Sequence, residues 1–169
     1  MSDTSPVAVA TAAPDSPTDL LARYRHGSAV LREAIEDMGI DALRARPIEG
    51  KMSSLEVVAH IVDSDQFMCD RMKRTIATER PLLVGVESAN YGGPLGYQDR
   101  DPDLDIALLE VQRDQMAANL VGLPAEAWER VAIHSEIGAV TLLQLFAHAV
   151  RHLEGHVESI AEKRAALIP

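Results

Sequence analysis

The sequence predicts an all-α four-helix bundle with long connections between helices 2 and 3 and between helices 3 and 4. Three observations predict this fold. Four segments carry apolar residues at helical spacing, each begins at a capping signal, and alternating strand patterns are nearly absent. Of the 169 residues, 47% are hydrophobic and 25% are charged, which is typical of a single globular domain. A chain of this length buries enough surface to fold without a disulfide or a structural metal.

The first helix is expected to begin at Pro17 and to end near Gly39. Residues 1–15, rich in Ala, Ser, Thr and Pro, are expected to form a flexible tail, so that the domain spans residues 16–169. Ser16 can cap the helix, and Pro17 suits its first position. Steps of three, four or seven residues then join one apolar stripe, made of Leu20, Tyr24, Leu31, Ile35 and Met38.

The second helix is expected to follow Ser53, because Ser53 and Glu56 form a capping-box pattern, and to reach about Thr78. Apolar residues cover most of its circumference and leave only a narrow polar strip, which includes Asp63. A helix of this kind is central in its bundle. The strip position predicts that Asp63 is solvated.

Two long connections flank the third helix. Residues 80–100 are rich in Gly and Pro, and loops of this length in a compact domain are usually functional or disordered. The third helix is expected to begin after Asp101, and its inward residues are Ile106, Leu109, Met116 and Leu120. The second connection, residues 125–139, holds one weak strand candidate at Val131–Ile133 and the single tryptophan, Trp128, expected in the core.

The last helix is expected to begin at a second capping box, formed by Thr141 and Gln144, and to continue to about Leu167. His148, His152 and His156 follow one another on it at steps of four, which places them on one face. The same face carries four apolar residues, Leu142, Leu145, Ala149 and Ile160. The histidines are therefore expected to point into the bundle, where each imidazole needs a partner.

A metal ion is one such partner. Two histidines at i and i+4 can bind a first-row metal, and a third ligand would come from another element. His60 is the only histidine on the second helix and can face the last helix. The alternative is a set of core histidines satisfied by hydrogen bonds, and the spacing alone leaves both interpretations open.

Charge and cysteine content exclude other classes of function. The net charge of −10, from 16 basic and 26 acidic residues, argues against nucleic acid or an anionic membrane as a partner. The single cysteine, Cys69, excludes an internal disulfide and a cysteine metal cluster, and it is expected to be a buried apolar residue. No signal peptide and no spanning segment is visible, so the expected location is cytoplasmic.

Several familiar motifs are absent as well. The sequence contains no His-Glu-x-x-His of a zincin protease and no Glu-x-x-His of a di-iron bundle. It also contains neither a phosphate-binding loop nor a Gly-x-Ser-x-Gly elbow.

Two segments resemble the DinB-like superfamily of four-helix bundles. Residues 51–65, which read Lys-Met-Ser-Ser-Leu-Glu-Val-Val-Ala-His-Ile-Val-Asp-Ser-Asp, resemble the family's second helix. Residues 138–160 resemble its last helix, in which a histidine pair four apart is followed four residues later by Ile. The resemblance covers about residues 18–167. One departure is Met52, where the family commonly has Trp, and this change concerns packing.

The resemblance implies a divalent metal, nickel or zinc, bound by His60, His152 and His156. His148 matches a position that is often histidine but is usually not a ligand. A homodimer is also implied. Some relatives are S-transferases or isomerases that use low-molecular-weight thiols, and others are metal-dependent hydrolases.

The expected chemistry is therefore metal activation of a thiol or of water, which attacks an electrophilic small-molecule substrate under the long loop. Asp63 and Glu154 could orient an imidazole. Arg151 could bind the carboxylate of a thiol cofactor or form a surface ion pair. Tyr91 and Tyr97 could close the pocket.

The competing hypothesis is a bundle without catalysis, either metal-binding or a small-molecule binding module. The sequence leaves open which of the two hypotheses holds, and it assigns no role to His134.

Overall fold

A computed structural model of the chain describes residues 16–167, which form four long α-helices, two short α-helices, two single-turn 3₁₀ helices (Ser88–Asn90 and Tyr97–Asp99) and three short strands. The predicted tail at residues 1–15 lies outside the described residues, as do the last two residues. In chain order the elements are α1 (Pro17–Ile35), α2 (Ile40–Arg44), α3 (Ser54–Ala77), β1 (Leu82–Leu83), α4 (Pro102–Leu120), α5 (Ala125–Trp128), β2 (Val131–His134), β3 (Gly138–Thr141) and α6 (Leu142–Ala166).

The four long helices form the predicted four-helix bundle. Helices α1 and α3 each pack against both α4 and α6, so α1 lies diagonally across the bundle from α3. No helix within residues 16–167 is long and apolar enough to cross a membrane. The fold class and the two long connections, one before α4 and one before α6, are confirmed.

Local capping chemistry explains where the long helices begin. The Ser16 hydroxyl accepts a hydrogen bond from the Asp19 amide at 3.1 Å. Both predicted capping boxes form, one from Ser53 and Glu56 at the start of α3 and one from Thr141 and Gln144 at the start of α6. These contacts satisfy amides that the first turn of a helix leaves without a partner.

The connections contain more structure than the sequence predicts. The strand candidate at Val131–Ile133 is confirmed as β2, but it pairs with two strands that have no visible pattern. Strand β3 is antiparallel to β2, and β1, from the first connection, is parallel to β2. The sheet thus joins the two long connections, and β3 passes into α6 at Thr141 without a spacer. Helix α2 is a further short element that the sequence analysis does not predict.

One arginine lies at the centre of the bundle and contacts all four long helices. Arg113 of α4 is 2% exposed, and it donates to the Asp65 carboxylate of α3 at 2.7 and 3.0 Å. It also donates to the carbonyls of Tyr24 on α1, at 3.2 Å, and Ala149 on α6, at 3.3 Å. The second Asp65 oxygen accepts from Gln112 at 2.8 Å. This group, which we call the arginine cluster, pairs every buried charge that it contains.

Candidate metal centre

Three imidazoles from two helices converge at one side of the bundle. His60 comes from the central helix α3, and His152 and His156 lie one turn apart on α6. The Nε2 atom of His152 lies 3.3 Å from that of His60 and 3.2 Å from that of His156. One ligand atom of each ring lies within 4.8 Å of the others. We call these residues the histidine cluster.

The spacing of these nitrogens fits a metal ion. Two ligand nitrogens at ~2.0–2.1 Å from a tetrahedral ion lie about 3.3 Å apart, which is the spacing seen around His152. Hydrogen bonds among the rings cannot account for both short distances. The single Nε2 of His152 either donates one proton or offers one lone pair, so it cannot serve both neighbours. A cation would accept a lone pair from all three rings.

Burial keeps these rings in the neutral form that binds metals. It lowers the pKa of His152 to about 3, and the charge that His156 would carry adds to the effect. Burial likewise lowers the pKa of His156 to about 4, with a contribution from His60. It also lowers the pKa of His60, and the negative charge of Asp63 opposes this change. At neutral pH all three lone pairs are therefore available.

A fourth histidine, His148, and the second ring nitrogen of His60 lie beside the histidine cluster. His148 lies on the same helix face, with its ring centre 5.7 Å from that of His152, but its side chain is exposed and its ligand atoms lie outside the cluster. The predicted inward orientation is therefore wrong for His148, because the helix face reaches the surface there. The Nδ1 atom of His60 is buried without a hydrogen-bond partner among the described residues. Within residues 16–167, no carboxylate accepts a hydrogen bond from this ring nitrogen.

The two acidic residues predicted to orient imidazoles bind arginines instead. Asp63 accepts from the Tyr97 hydroxyl at 2.7 Å and from Arg100 at 2.8 Å, and its side chain is 12% exposed. The prediction of a solvated Asp63 is therefore wrong, because the long loop folds over it. Glu154 accepts two hydrogen bonds from Arg23, at 2.6 and 2.8 Å.

A cavity of about 140 Å³ opens beside the histidine cluster and has His152 in its wall. A second cavity of about 520 Å³ adjoins it, and both are lined by Met68, Arg71 and His148. The second cavity extends toward the β2–β3 hairpin and includes Arg151 and His134. The structure therefore provides room for a small molecule next to the proposed metal ligands.

The remaining aromatic and sulfur side chains have structural positions. Tyr91 packs on Phe67, which lines the smaller cavity, with ring centres 5.7 Å apart. Tyr97 is fully buried against Asp63 and lines neither cavity. Cys69 is buried, and burial raises the pKa of its thiol to about 11, which opposes a nucleophilic role. Trp128 stacks on Phe146 in the core, as expected.

Sequence reasoning missed two arginines that matter for the site. Arg71 lies in the walls of both cavities, and Arg113 is the centre of the bundle. Arg71 belongs to a helix whose circumference is mostly apolar, a pattern that gives no reason to place a charge beside a cavity. The burial of Arg113 is not visible in the sequence either, because its hydrogen-bond partners come from three other helices.

Comparison with known proteins gives the same picture. The family model of the DinB superfamily matches residues 10–160. A protein of Bacillus licheniformis named "Putative metal-dependent hydrolase" is 28% identical over 136 residues, which cover 80% of this chain and 77% of that protein.

Solved structures share the fold. YfiT from Bacillus subtilis, described as "a probable metal-dependent hydrolase with an unusual four-helix bundle topology", superposes with a TM-score of 0.85 at 21% identity, covering 92% of this chain and 90% of its own. A mycothiol-dependent maleylpyruvate isomerase superposes with a TM-score of 0.67 at 14% identity, covering 86% of this chain and 61% of its own. With the family model matching most of the sequence, the chain belongs to the DinB superfamily.

Proposed function

We propose that the protein binds a divalent metal ion, nickel or zinc, through His60, His152 and His156. An ion held by these residues would supply Lewis-acid activation of water or of a low-molecular-weight thiol, for attack on a small electrophilic substrate. The observation that supports this function is the convergence of three imidazoles beside a cavity, with the Nε2 atom of His152 at tetrahedral ligand spacing from those of His60 and His156. A divalent ion lowers the pKa of a bound water to about 7 in favourable sites and deprotonates a bound thiol. Three protein ligands leave a position open, as catalytic sites do.

The residues around the cluster would prepare the substrate for this chemistry. Phe67 and Met68 form an apolar wall of the smaller cavity that reduces access of bulk water. His148 lines the same cavity with a partly exposed side chain, and the partial burial of its ring together with the charges of Arg151 and Arg71 lowers the pKa of that ring. A neutral imidazole there can accept a proton from a molecule in the cavity.

Two nucleophiles fit the site, and different observations support each. The relative from Bacillus licheniformis and YfiT are both named or described as hydrolases, which favours water. The mycothiol-dependent isomerase shares the fold, and Arg151 lines the larger cavity, which favours a thiol whose carboxylate binds this arginine. A bundle that binds metal without turnover is the remaining alternative.

The test is turnover by protein loaded with zinc or nickel, using a panel of activated aryl esters and a panel of thiols with an electrophilic aryl halide. We expect metal-dependent turnover on one panel, with kcat/KM at least a hundredfold lower in His156→Ala. The control His26→Ala changes an exposed histidine on α1 and should keep wild-type activity.

Each result decides between the hypotheses. Turnover on the ester panel alone selects water, and turnover that requires a thiol selects the transferase. Stoichiometric metal without turnover on either panel favours the binding module. Metal that stays bound in His60→Ala, His152→Ala and His156→Ala would overturn the proposed ligand set. The homodimer and the cytoplasmic location stay predictions, and analytical ultracentrifugation tests the first of them.

A further inference from the structure

The two cavities beside the histidine cluster share one charged side chain that has no direct contact with a reacting group in the proposed chemistry. Arg71 projects from α3, three turns beyond His60, and lines both the cavity at His152 and the larger one behind it. A molecule that occupies both cavities would therefore lie beside this guanidinium.

Arg71 lacks the carboxylate partner that buried arginines usually have. Arg100 and Arg113, two partly or fully buried arginines beside α3, each bind an aspartate, whereas Arg130 donates to the carbonyls of Thr75 and Thr78 near the end of α3 and lines neither cavity. Arg71 donates to the Val84 carbonyl at 3.0 Å and contacts the Met68 sulfur at 3.7 Å.

Within residues 16–167 Arg71 forms no ion pair with a carboxylate. Burial lowers the pKa of Arg71, and the negative charges of Glu136 and Asp70 oppose this change from beyond ion-pair distance. A half-buried guanidinium whose hydrogen bonds go only to neutral groups leaves charge-assisted donors for a ligand.

The surrounding charges favour an anion at this point. Arg151 and His148 line the same cavity from α6, and Glu136 is the single acidic residue in its wall. The positive charges of Arg151 and Arg71 act on His148 and the negative charge of Glu136 acts on Arg71, so two arginines and one carboxylate meet at this cavity. A cationic cavity in a chain of net charge −10 is a local reversal that would select ligands.

The far side of the larger cavity is apolar. Ile137 at the tip of the hairpin, Val140 on β3 and Leu145 on α6 line it. Ile137 is 70% exposed, although it is a large hydrophobic residue. A ligand that fills this cavity would therefore place an apolar body against the hairpin and a charged group at Arg71.

We propose that Arg71 binds an oxyanion, a carboxylate or a phosphate, on the substrate that reacts at the histidine cluster. The substrate is then a small anionic molecule with an apolar body. This inference rests on the proposed function, since it names the substrate class of the same site. Arg71 acts as a specificity residue whose planar guanidinium matches two oxygens at once.

The experiment measures binding of benzoate, phenyl phosphate and neutral benzamide to zinc-loaded protein by isothermal titration calorimetry. It is repeated on EDTA-treated protein, so that coordination of the anion by zinc does not contribute. We expect benzoate or phenyl phosphate to bind at least tenfold more tightly than benzamide in both samples, and the tighter of the two anions identifies the group.

The variant Arg71→Met should remove that preference, at least tenfold, and leave benzamide affinity unchanged. The control Arg74→Met removes the same charge one turn further along α3, where Arg74 pairs with Asp70 outside both cavities, and should behave as wild type. Arg71→Lys, which keeps the charge but not the fork of donors, should give an intermediate affinity and replaces Arg71→Met if that variant does not fold.

The outcomes separate this inference from the proposed function. Equal affinity for the three probes, or a preference that survives in Arg71→Met, overturns the anion site even if zinc is bound. If zinc does not bind but the preference is lost in Arg71→Met, the anion site stands and the proposed metal chemistry fails.

Discussion

The arginine cluster and the histidine cluster both bring polar groups of α3 and α6 together inside the bundle, but they are built in opposite ways. Arg113 reaches a carboxylate and two carbonyls, so that charge and hydrogen-bonding capacity are matched within the chain. In the histidine cluster three nitrogens face one another, and the Nδ1 atom of His60 has no partner among the described residues. A complete cluster stabilises a fold, whereas an incomplete one provides binding energy for a ligand.

The largest effect is expected from breaking the arginine cluster. Replacing Arg113 by Met leaves the Asp65 carboxylate buried without its cation, and this should reduce the free energy of unfolding by about 3–5 kcal/mol. Urea denaturation followed by circular dichroism measures the change. The double variant Arg113→Met with Asp65→Leu removes both charges and should recover a large part of the loss. A single variant within about 1 kcal/mol of wild type would show that the cluster is not the main polar anchor of the bundle.

Zinc should stabilise the protein by binding to the histidine cluster. At a free zinc concentration a hundredfold above Kd, binding to the native state alone raises the free energy of unfolding by about 2.7 kcal/mol. Differential scanning calorimetry with and without zinc measures the gain as a rise in Tm. His60→Ala should abolish the gain, and the exposed-histidine control His26→Ala should keep it.

The zinc gain also tests whether the two clusters are independent. Arg113→Met should lower Tm but retain most of the rise on adding zinc, because the arginine cluster supplies no ligand. Loss of the zinc response in Arg113→Met would show that the arginine sets the spacing of α3 and α6 at the metal ligands.

A smaller effect is expected where the arginine cluster meets the backbone of α1. A Cβ atom on Gly27 would clash with a terminal nitrogen of Arg113. Gly27→Ala should therefore displace the guanidinium and destabilise the protein by about 1–3 kcal/mol. The matched control is Gly155→Ala on α6, where a Cβ meets no atom within 4 Å and the better helix propensity of Ala should be neutral or stabilising. Equal Tm values for the two variants would contradict this prediction.

The smallest effect concerns pH and a polar group nearer the surface. The Arg46 guanidinium donates to Glu56 at 2.9 Å, and together with the capping bond to Ser53 this holds the Glu56 pKa at about 2, below the ordinary value of 4.5. The carboxylate therefore stabilises the fold above about pH 4.5, and this contribution is lost as the pH falls toward 2.

Glu56→Gln removes the pH-dependent part of this contribution. We expect it to cost about 1 kcal/mol at pH 7, the size of a helix cap, and progressively less below pH 4.5. Chemical denaturation at several pH values measures the difference. Glu79→Gln, an exposed residue just beyond α3, is the charge control and should show no such trend.

A structural feature can be predicted from the sequence when the residues that determine it lie close together along the chain. The capping boxes of α3 and α6 lie within four residues, and both are found where the sequence places them. The convergence of the three histidines follows from helix periodicity and from a bundle that places α3 beside α6. These features need little beyond local geometry.

Features that depend on distant partners were missed or wrong. Strand β1 has two residues and exists only because Leu82 pairs with Ile133, which is about fifty positions away. Asp63 looks solvated on its helix, yet Tyr97 and Arg100 arrive from the loop to bind it. No periodicity in the sequence predicts these contacts, since they depend on how the connections pack against the four helices.

The junction at Thr141, where the last strand becomes the last helix, has a consequence for how the cavity responds to sequence change. Val140, which lines the larger cavity from β3, and His152 belong to one uninterrupted stretch of strand and helix. A substitution that shifts β3 can therefore also shift the start of α6, and with it the position of His152, through the main chain itself. A change in the hairpin would therefore alter both which apolar groups the larger cavity accepts and how the reacting group lies against the histidine cluster.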